Sequence, residues 1–232
     1  MFSYYGRKTK VVKYYPRPEF NTIIEPFAGS AAYSLHGDNW KHNVIIVDKY
    51  EVVYRVWRYL QQSSEQSILS LPDVEYGHST KEHAQLCEEE VWLIGFCVAR
   101  GSAQPQYQSG KFNSWPDNKK SIARNLYKIR HWDIRLGDYR DIDNFEATWF
   151  IDPPYQWGGQ YYTESNKSIN FPELSEWCKS RIGQVIVCEN TKADWMPFHP
   201  IKKMRGNKHV TTEAMWTNRD IPRQLSMFDS AP

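Results

Sequence analysis

Four consecutive residues, Asp152, Pro153, Pro154 and Tyr155, carry the most legible chemistry of this sequence. They follow an apolar run, Ala147 to Ile151, that reads as a buried strand. In open α/β sheets the ligand crevice lies outside the carboxyl ends of strands. Proline fixes the backbone and has no N–H, so carbonyls there can turn outward as acceptors. A carboxylate, a rigid carbonyl and a flat π-face within one turn suit an exocyclic amine on a flat ring, such as N6 of adenine. A plain strand-ending turn with a packed tyrosine would use the same four residues.

The elements that must position this turn follow from apolar periodicity. Asn21 to Glu25 reads as a first strand, and Ser30 to His36 as a short helix closed by Gly37. Val44 to Val47 is a continuous apolar run, hence a buried parallel strand, ending at Asp48. Val52, Val53, Val56 and Leu60 give Glu51 to Gln62 a helical spacing. This β-α-β-α start indicates a doubly wound α/β sheet. The pattern changes near Ser63. Ser79 and Glu82 form a capping-box pair, predicting a helix that runs to Arg100 and stops at Gly101. A polar loop, Ser102 to Asn118, precedes a helix from Lys119 to His131. Strands resume at Ile134 to Leu136 and Gln184 to Cys188, with a helix from Phe171 to Arg181 capped by Asn170. Two strand-like runs, Pro200 to Met204 and His209 to Trp216, meet at Gly206-Asn207, which suits a hairpin.

With 232 residues, 41% of them hydrophobic, the chain can build one good-sized core with a small inserted subdomain. Aromatic residues make up 15%, enough for stacking surfaces as well as core. A net charge of +2 permits nucleic-acid binding without arguing for it. No apolar run is long enough for a membrane span, and the first residues lack the apolar core of a secretory signal. Cys87, Cys97, Cys178 and Cys188 have no metal-ligand spacing, so no metal is expected and a reducing cytoplasm fits. None of them follows a proline, which removes the Pro-Cys nucleophile of C5-cytosine methyltransferases.

Upstream, Ile23 to Glu25 passes through Pro26 and Phe27 into a small-residue turn, Ala28-Gly29-Ser30-Ala31. With Asp152 to Tyr155, this segment resembles the Dam-type, D12-class DNA adenine-N6 methyltransferases, over nearly the whole chain. The resemblance implies a class I methyltransferase (Rossmann-like) mixed sheet with a terminal antiparallel hairpin and a small, mostly helical recognition insert. Residues 1–62 and 132–222 would be catalytic, 63–131 the insert and 223–232 a tail. It also implies S-adenosylmethionine as cofactor, double-stranded DNA as substrate, and the cytoplasm of a bacterial or phage-infected cell.

The same resemblance assigns residues. Glu25, Pro26, Phe27 and Gly29 would form the cofactor turn, and Asp48 would meet ribose hydroxyls, a position that nicotinamide-binding folds share. Gly137-Asp138-Tyr139 resembles the family's Gly-Asp-Phe step, with Asp138 on the cofactor's adenine amine and Tyr139 packed beside it. Tyr5, Gly6 and Lys8 resemble the amino-terminal aromatic-Gly-Gly-Lys segment, with Arg7 replacing the second glycine. Lys8 would supply a cation near the cofactor carboxylate or the DNA, or else belong to a mobile basic terminus. Asp152 and the Pro153 carbonyl would take the amine hydrogens, Pro154 would complete the turn, and Tyr155 would stack on the flipped base. Gln156 to Asn170 reads as a lid or a plain surface loop.

Gly110-Lys111-Phe112-Asn113 matches the family's Gly-x-Phe-Asn stretch. Arg100, Lys111, Lys119, Lys120, Arg124, Lys128 and Arg130 cluster around it as phosphate or guanine contacts, with Gln104, Gln106, Gln108 and Asn113 as adenine readers. A solvated basic helix face is the alternative. Gln224, Leu225, Met227 and Phe228 resemble the peptide that docks on bacterial sliding clamps, unless the tail packs back or stays disordered. N4-cytosine methylation, an inactive DNA-binding module and a nicotinamide oxidoreductase remain competing readings.

Overall fold

The computed structural model describes residues 1–99, 102–162, 166–205 and 210–220. Seven strands make one sheet: β1 (Thr22–Glu25), β2 (Asn43–Asp48), β3 (Asp133–Leu136), β4 (Ala147–Ile151), β5 (Gly183–Asn190), β6 (His199–Arg205) and β7 (Val210–Thr217). Their spatial order is β3-β2-β1-β4-β5-β7-β6. β1 to β5 pair in parallel, and β7 runs antiparallel between β5 and β6. The expected α/β mixed sheet with an antiparallel terminal pair is therefore present and is compatible with a Rossmann-like fold. Gly206 and Asn207 lie outside the described residues.

The sheet is covered on both faces, and β4 shows how. All five of its residues are buried. Phe150 points into one apolar cluster, where its ring stacks on Tyr33 at 4.2 Å. Ala147, Trp149 and Ile151 point into the other, with Leu174 and Cys178. This two-sided burial is why the run is continuously apolar rather than alternating.

Five α-helices occur among the described residues: α1 (Glu51–Gln62), α2 (Glu65–Leu69), α3 (Glu88–Val98), α4 (Trp115–Asn125) and α5 (Phe171–Lys179). α1 has the predicted bounds and buries Val53, Val56, Trp57 and Leu60 along one stripe. α5 begins as expected, with the Asn170 side chain accepting from Glu173 N at 3.3 Å. Among the described residues of 63–131 the regular elements are helices and 3₁₀ turns joined by long loops, with no strand. Their apolar side chains, among them Ile68, Phe96 and Trp115, join the same cluster as Phe2, Trp57 and Trp132. The insert shares its core with the sheet.

Three local expectations are corrected. Ser30 to His36 is a chain of turns and not a helix. Ala31 takes a left-handed φ of 45°, and the Ser34 N–H donates to Glu25 Oε1 at 2.7 Å instead of to a helical carbonyl. The Ser79–Glu82 capping box forms but caps only a single 3₁₀ turn, because Thr80 N is drawn to the Tyr107 carbonyl at 2.8 Å. The α-helix starts later, at Glu88. The helix expected from Lys119 starts at Trp115, since Pro116 sits in its first turn, where a missing N–H costs nothing. It passes into a 3₁₀ turn at Leu126–Ile129.

Candidate active site

The strand order reverses between β1 and β4: β1 leads outward to β2 and β3, whereas β4 lies on its other side. Such a switch point leaves a crevice beyond the carboxyl ends. A cleft of about 1070 Å³, part of it open solvent, occupies that place. Its walls come from segments following four strands: Glu25 to Ser30, Asp48 to Tyr50, Gly137 to Arg140, and Asp152 with Pro154. Tyr5, Gly6, Arg7 and Lys8 close another side. All ten residues expected at a cofactor site line this one cleft. Ser168, Ile169 and Asn170 of the expected lid line it too, while 163–165 fall outside the described residues.

Asp152 is the centre of a buried charged cluster. Its Oδ1 lies 2.7 Å from Lys8 Nζ, and the same ammonium lies 3.6 Å from Glu213 Oε1. Lys8 also donates to the Gly6 carbonyl at 3.2 Å and sits 4.5 Å from the centroid of the Tyr155 ring. Glu213 Oε1 accepts from the hydroxyls of Tyr15, at 2.6 Å, and Tyr155. Burial pushes the Asp152 carboxyl up to about 6; Lys8 pulls it down and Glu213 pushes it up. Burial also opposes the charge on Lys8, but Asp152 and Glu213 outweigh it and its pKa is raised. Lys8 is thus no mobile terminus, and its cation is committed to the two carboxylates rather than to the open cleft. Pro153 is buried, and neither it nor Tyr155 is on the cleft wall.

The turn after β1 is held by three contacts. Gly29 N donates to Asp48 Oδ2 at 2.9 Å, Tyr50 N to Asp48 Oδ1 at 2.9 Å, and Trp57 Nε1 to the Gly29 carbonyl at 2.9 Å. Asp48 therefore organises two backbone segments while still facing the cleft. Gly29 adopts a φ of 46°, and a Cβ there would lie 3.1 Å from the Tyr4 ring. A Cβ at Gly6 would meet the Tyr162 hydroxyl at 2.1 Å, so only glycine fits. Burial lifts the Glu25 carboxyl to about 7 against the hydrogen bonds it takes from Ser34. Asp138 accepts from Arg140 N at 3.1 Å and Arg140 Nε at 2.8 Å. Burial works against its charge, but Arg140 holds its pKa below the usual range. Phe27 and Tyr139 lie 5.3 Å apart on the wall.

The insert residues divide. Lys111, Lys120 and Arg124 are exposed, as is Phe112. Asn113 is corrected to a fold-holding residue: its amide nitrogen donates to Val74 O at 2.7 Å and Ser109 Oγ at 2.9 Å, and its oxygen accepts from Trp115 N at 2.8 Å. Lys119 is buried and bonds to the Leu71 carbonyl at 2.9 Å and to Asp73 at 2.7 Å. Arg130 donates to the carbonyls of Gln61 and Ser63. Gln106 is exposed but donates to Ser102 in its own loop, and exposed Gln108 donates across to the Gly77 carbonyl at 3.2 Å. Arg100, Gln224, Leu225, Met227 and Phe228 lie outside the described residues.

Tyr162, from the expected lid, lines the cleft as well, whereas sequence reasoning missed Glu213 and Tyr15. Glu213 interrupts the strand-like run of β7 with an acid, a signal that was readable in the sequence, and the structure half-buries it. Tyr15 carried none. No family model matches this chain, and no curated protein matches it either. Among the described residues no helix is long and apolar enough to cross a membrane.

Proposed function

We propose that this chain is a class I, S-adenosylmethionine-dependent methyltransferase that modifies N6 of a flipped adenine in double-stranded DNA. One observation carries the reading. The Asp152 carboxylate stands at a strand end, held through one oxygen by Lys8, in the same cleft as the Gly29 turn, Asp48 and Asp138. The donor set fits the cofactor: two carboxylates for a ribose diol and an adenine amine, with Phe27 and Tyr139 as apolar walls. When bound, S-adenosylmethionine would supply a methyl group activated by its sulfonium.

The adenine amine is a poor nucleophile because its lone pair is delocalised into the ring. Lys8 occupies Asp152 Oδ1, which leaves Oδ2 to accept one amine hydrogen, and the Pro153 carbonyl would accept the other. Two acceptors localise the lone pair and aim it, so the chain's task is orientation and charge stabilisation. In that transfer the amine nitrogen would take the methyl carbon as the sulfonium leaves as a neutral thioether, and the surplus amine proton would pass through the Asp152 carboxylate to solvent. In this reading Tyr155, fixed through its hydroxyl to Glu213, would stack its ring on the flipped base. Lys111, Lys120 and Arg124 would track DNA phosphates. In the same reading, the tail Gln224-Leu225-Ser226-Met227-Phe228 docks on a bacterial sliding clamp, and truncation after Pro222 should abolish that binding while oligonucleotide methylation persists.

The test is incubation with labelled S-adenosylmethionine and duplex DNA, followed by mass spectrometry of the nucleosides. Methyl on adenine N6, lost in Asp152→Ala, is expected. Methyl on cytosine N4, or none, overturns the reading.

A further inference from the structure

Beside the first cleft lies a second, with about 700 Å³ of empty space including open solvent. It is bounded by the N-terminal segment, the turns after β1, and α4 with the 3₁₀ turn that follows. Arg7, His36, Ser121, Asn125 and Lys128 line it, and among the described residues no carboxylate does.

Arg7 and Lys128 differ from the cations that the fold pairs with acids. Arg55, Arg135, Arg140 and Arg219 each pair with an acid, as do Lys8 and Lys119. Arg7 and Lys128 make no ion pair among the described residues. Lys128 Nζ has the Trp40 ring at 5.9 Å as a neighbour. Arg7 is exposed and Lys128 half-buried, so both cations keep an open face toward the cleft, where a bound anion would meet two opposite charges at once. Lys10, Lys120 and Arg124 stand exposed on the same two elements, whereas Asp117, in the first turn, is the one acid of α4. The local field is thus of one sign.

We propose that this second cleft binds a backbone phosphate of the DNA whose base is methylated, an inference that rests on reading the chain as a DNA enzyme. Arg7, Ser30 and Ala32 line both clefts, so an anion here sits next to the site of chemistry. A guanidinium fork with an ammonium beside it matches a phosphodiester. Such a contact fixes the register of the strand without reading its sequence.

The experiment is fluorescence-anisotropy binding of a labelled duplex over a range of salt. The Arg7→Gln/Lys128→Gln double variant should bind about tenfold more weakly at 0.1 M salt. Its log–log salt slope should be shallower by about 1 to 2. Arg7→Lys and Lys128→Arg keep the charge and should keep the slope. Lys128→Gln should leave calorimetric affinity for S-adenosylmethionine unchanged. If the folded double variant keeps wild-type affinity and slope while the wild type binds and methylates DNA, the phosphate site is wrong and the methylation reading stands. If the double variant does not fold, Lys128→Gln alone must still lower affinity and slope. If the wild type binds no duplex, both proposals fall. Calorimetric binding of inorganic pyrophosphate that Lys128→Gln abolishes, with duplex affinity intact, would assign the cleft to a free phosphate ligand and overturn the DNA assignment.

Discussion

Lys8 Nζ lies 2.7 Å from Asp152 Oδ1, joining the amino-terminal segment to the turn after β4. The lysine side chain is 6% exposed and the aspartate's 21%, so the ammonium is held away from water while the carboxylate keeps a face to the cleft. That single contact ties a fold-stabilising charge to the carboxylate that the proposed chemistry uses.

Rate should therefore depend on the Asp152 proton. Burial raises its pKa from 3.8 to about 6. The carboxylate accepts the amine hydrogen only when ionised, so the methylation rate should rise with pH and level off above about 6. The sign for stability is opposite. The folded state holds this proton more tightly than the unfolded chain, so the contribution of Asp152 to stability falls as pH rises from about 4 to 6. Glu213→Gln removes a negative charge that pushes Asp152 up. It should move the acid limb to lower pH, and an unmoved limb would remove Glu213 from the electrostatics of the site.

Lys8→Met should damage both folding and rate. Breaking one partner out of a buried ion pair costs about 3–5 kcal/mol. Without the cation, the Asp152 pKa climbs, so activity at pH 7 should drop and recover in part toward pH 9. Denaturant unfolding and a pH–rate profile measure the two effects. A stable variant with a wild-type profile would contradict the cluster.

Tyr155→Phe deletes one of two hydroxyls on Glu213 and should cost about 1–3 kcal/mol of stability. Activity should largely survive, because the ring remains. Tyr155→Ala should lose most of it, since base stacking is worth about 1–3 kcal/mol. Equal losses in kcat/KM from both variants would give the hydroxyl the chemical role instead.

Ala31 tests the turn after β1. It is a buried non-glycine residue with a φ of 45°. Ala31→Gly relieves a left-handed penalty of about 1–2 kcal/mol, but it removes a buried methyl worth about 0.8 kcal/mol and loosens the unfolded chain. Stability should change by less than about 1 kcal/mol. Ala31→Val should destabilise by about 2–3 kcal/mol, because a branched side chain is both strained and overpacked there. Thermal unfolding of the two variants decides it.

The periodic parts of the fold were legible because burial writes itself into periodicity. α1 and the two-faced β4 follow their apolar patterns directly. Asp152 was legible because a strand-end acid followed by two prolines is locally unusual. What failed was tertiary. Ser30 to His36 has helix-compatible residues, but Glu25 captures the Ser34 N–H. Asn113 and Lys119 look like surface recognition residues in a polar run, yet the fold uses every polar atom of Asn113 and buries the Lys119 ammonium. The partnership of Lys8 with Glu213 has no local signature, because the two lie near opposite ends of the chain.

β7 lies between β5 and β6 and brings Glu213 to the cluster. During synthesis, every other member of that cluster emerges before Glu213 does. Until β7 threads into its slot, Tyr15 and Tyr155 have no Glu213 to bond, and β5 exposes an unpaired edge. Docking of β7 therefore does two things at once: it completes the buried charged cluster and covers the edge of β5 that would otherwise stand unpaired.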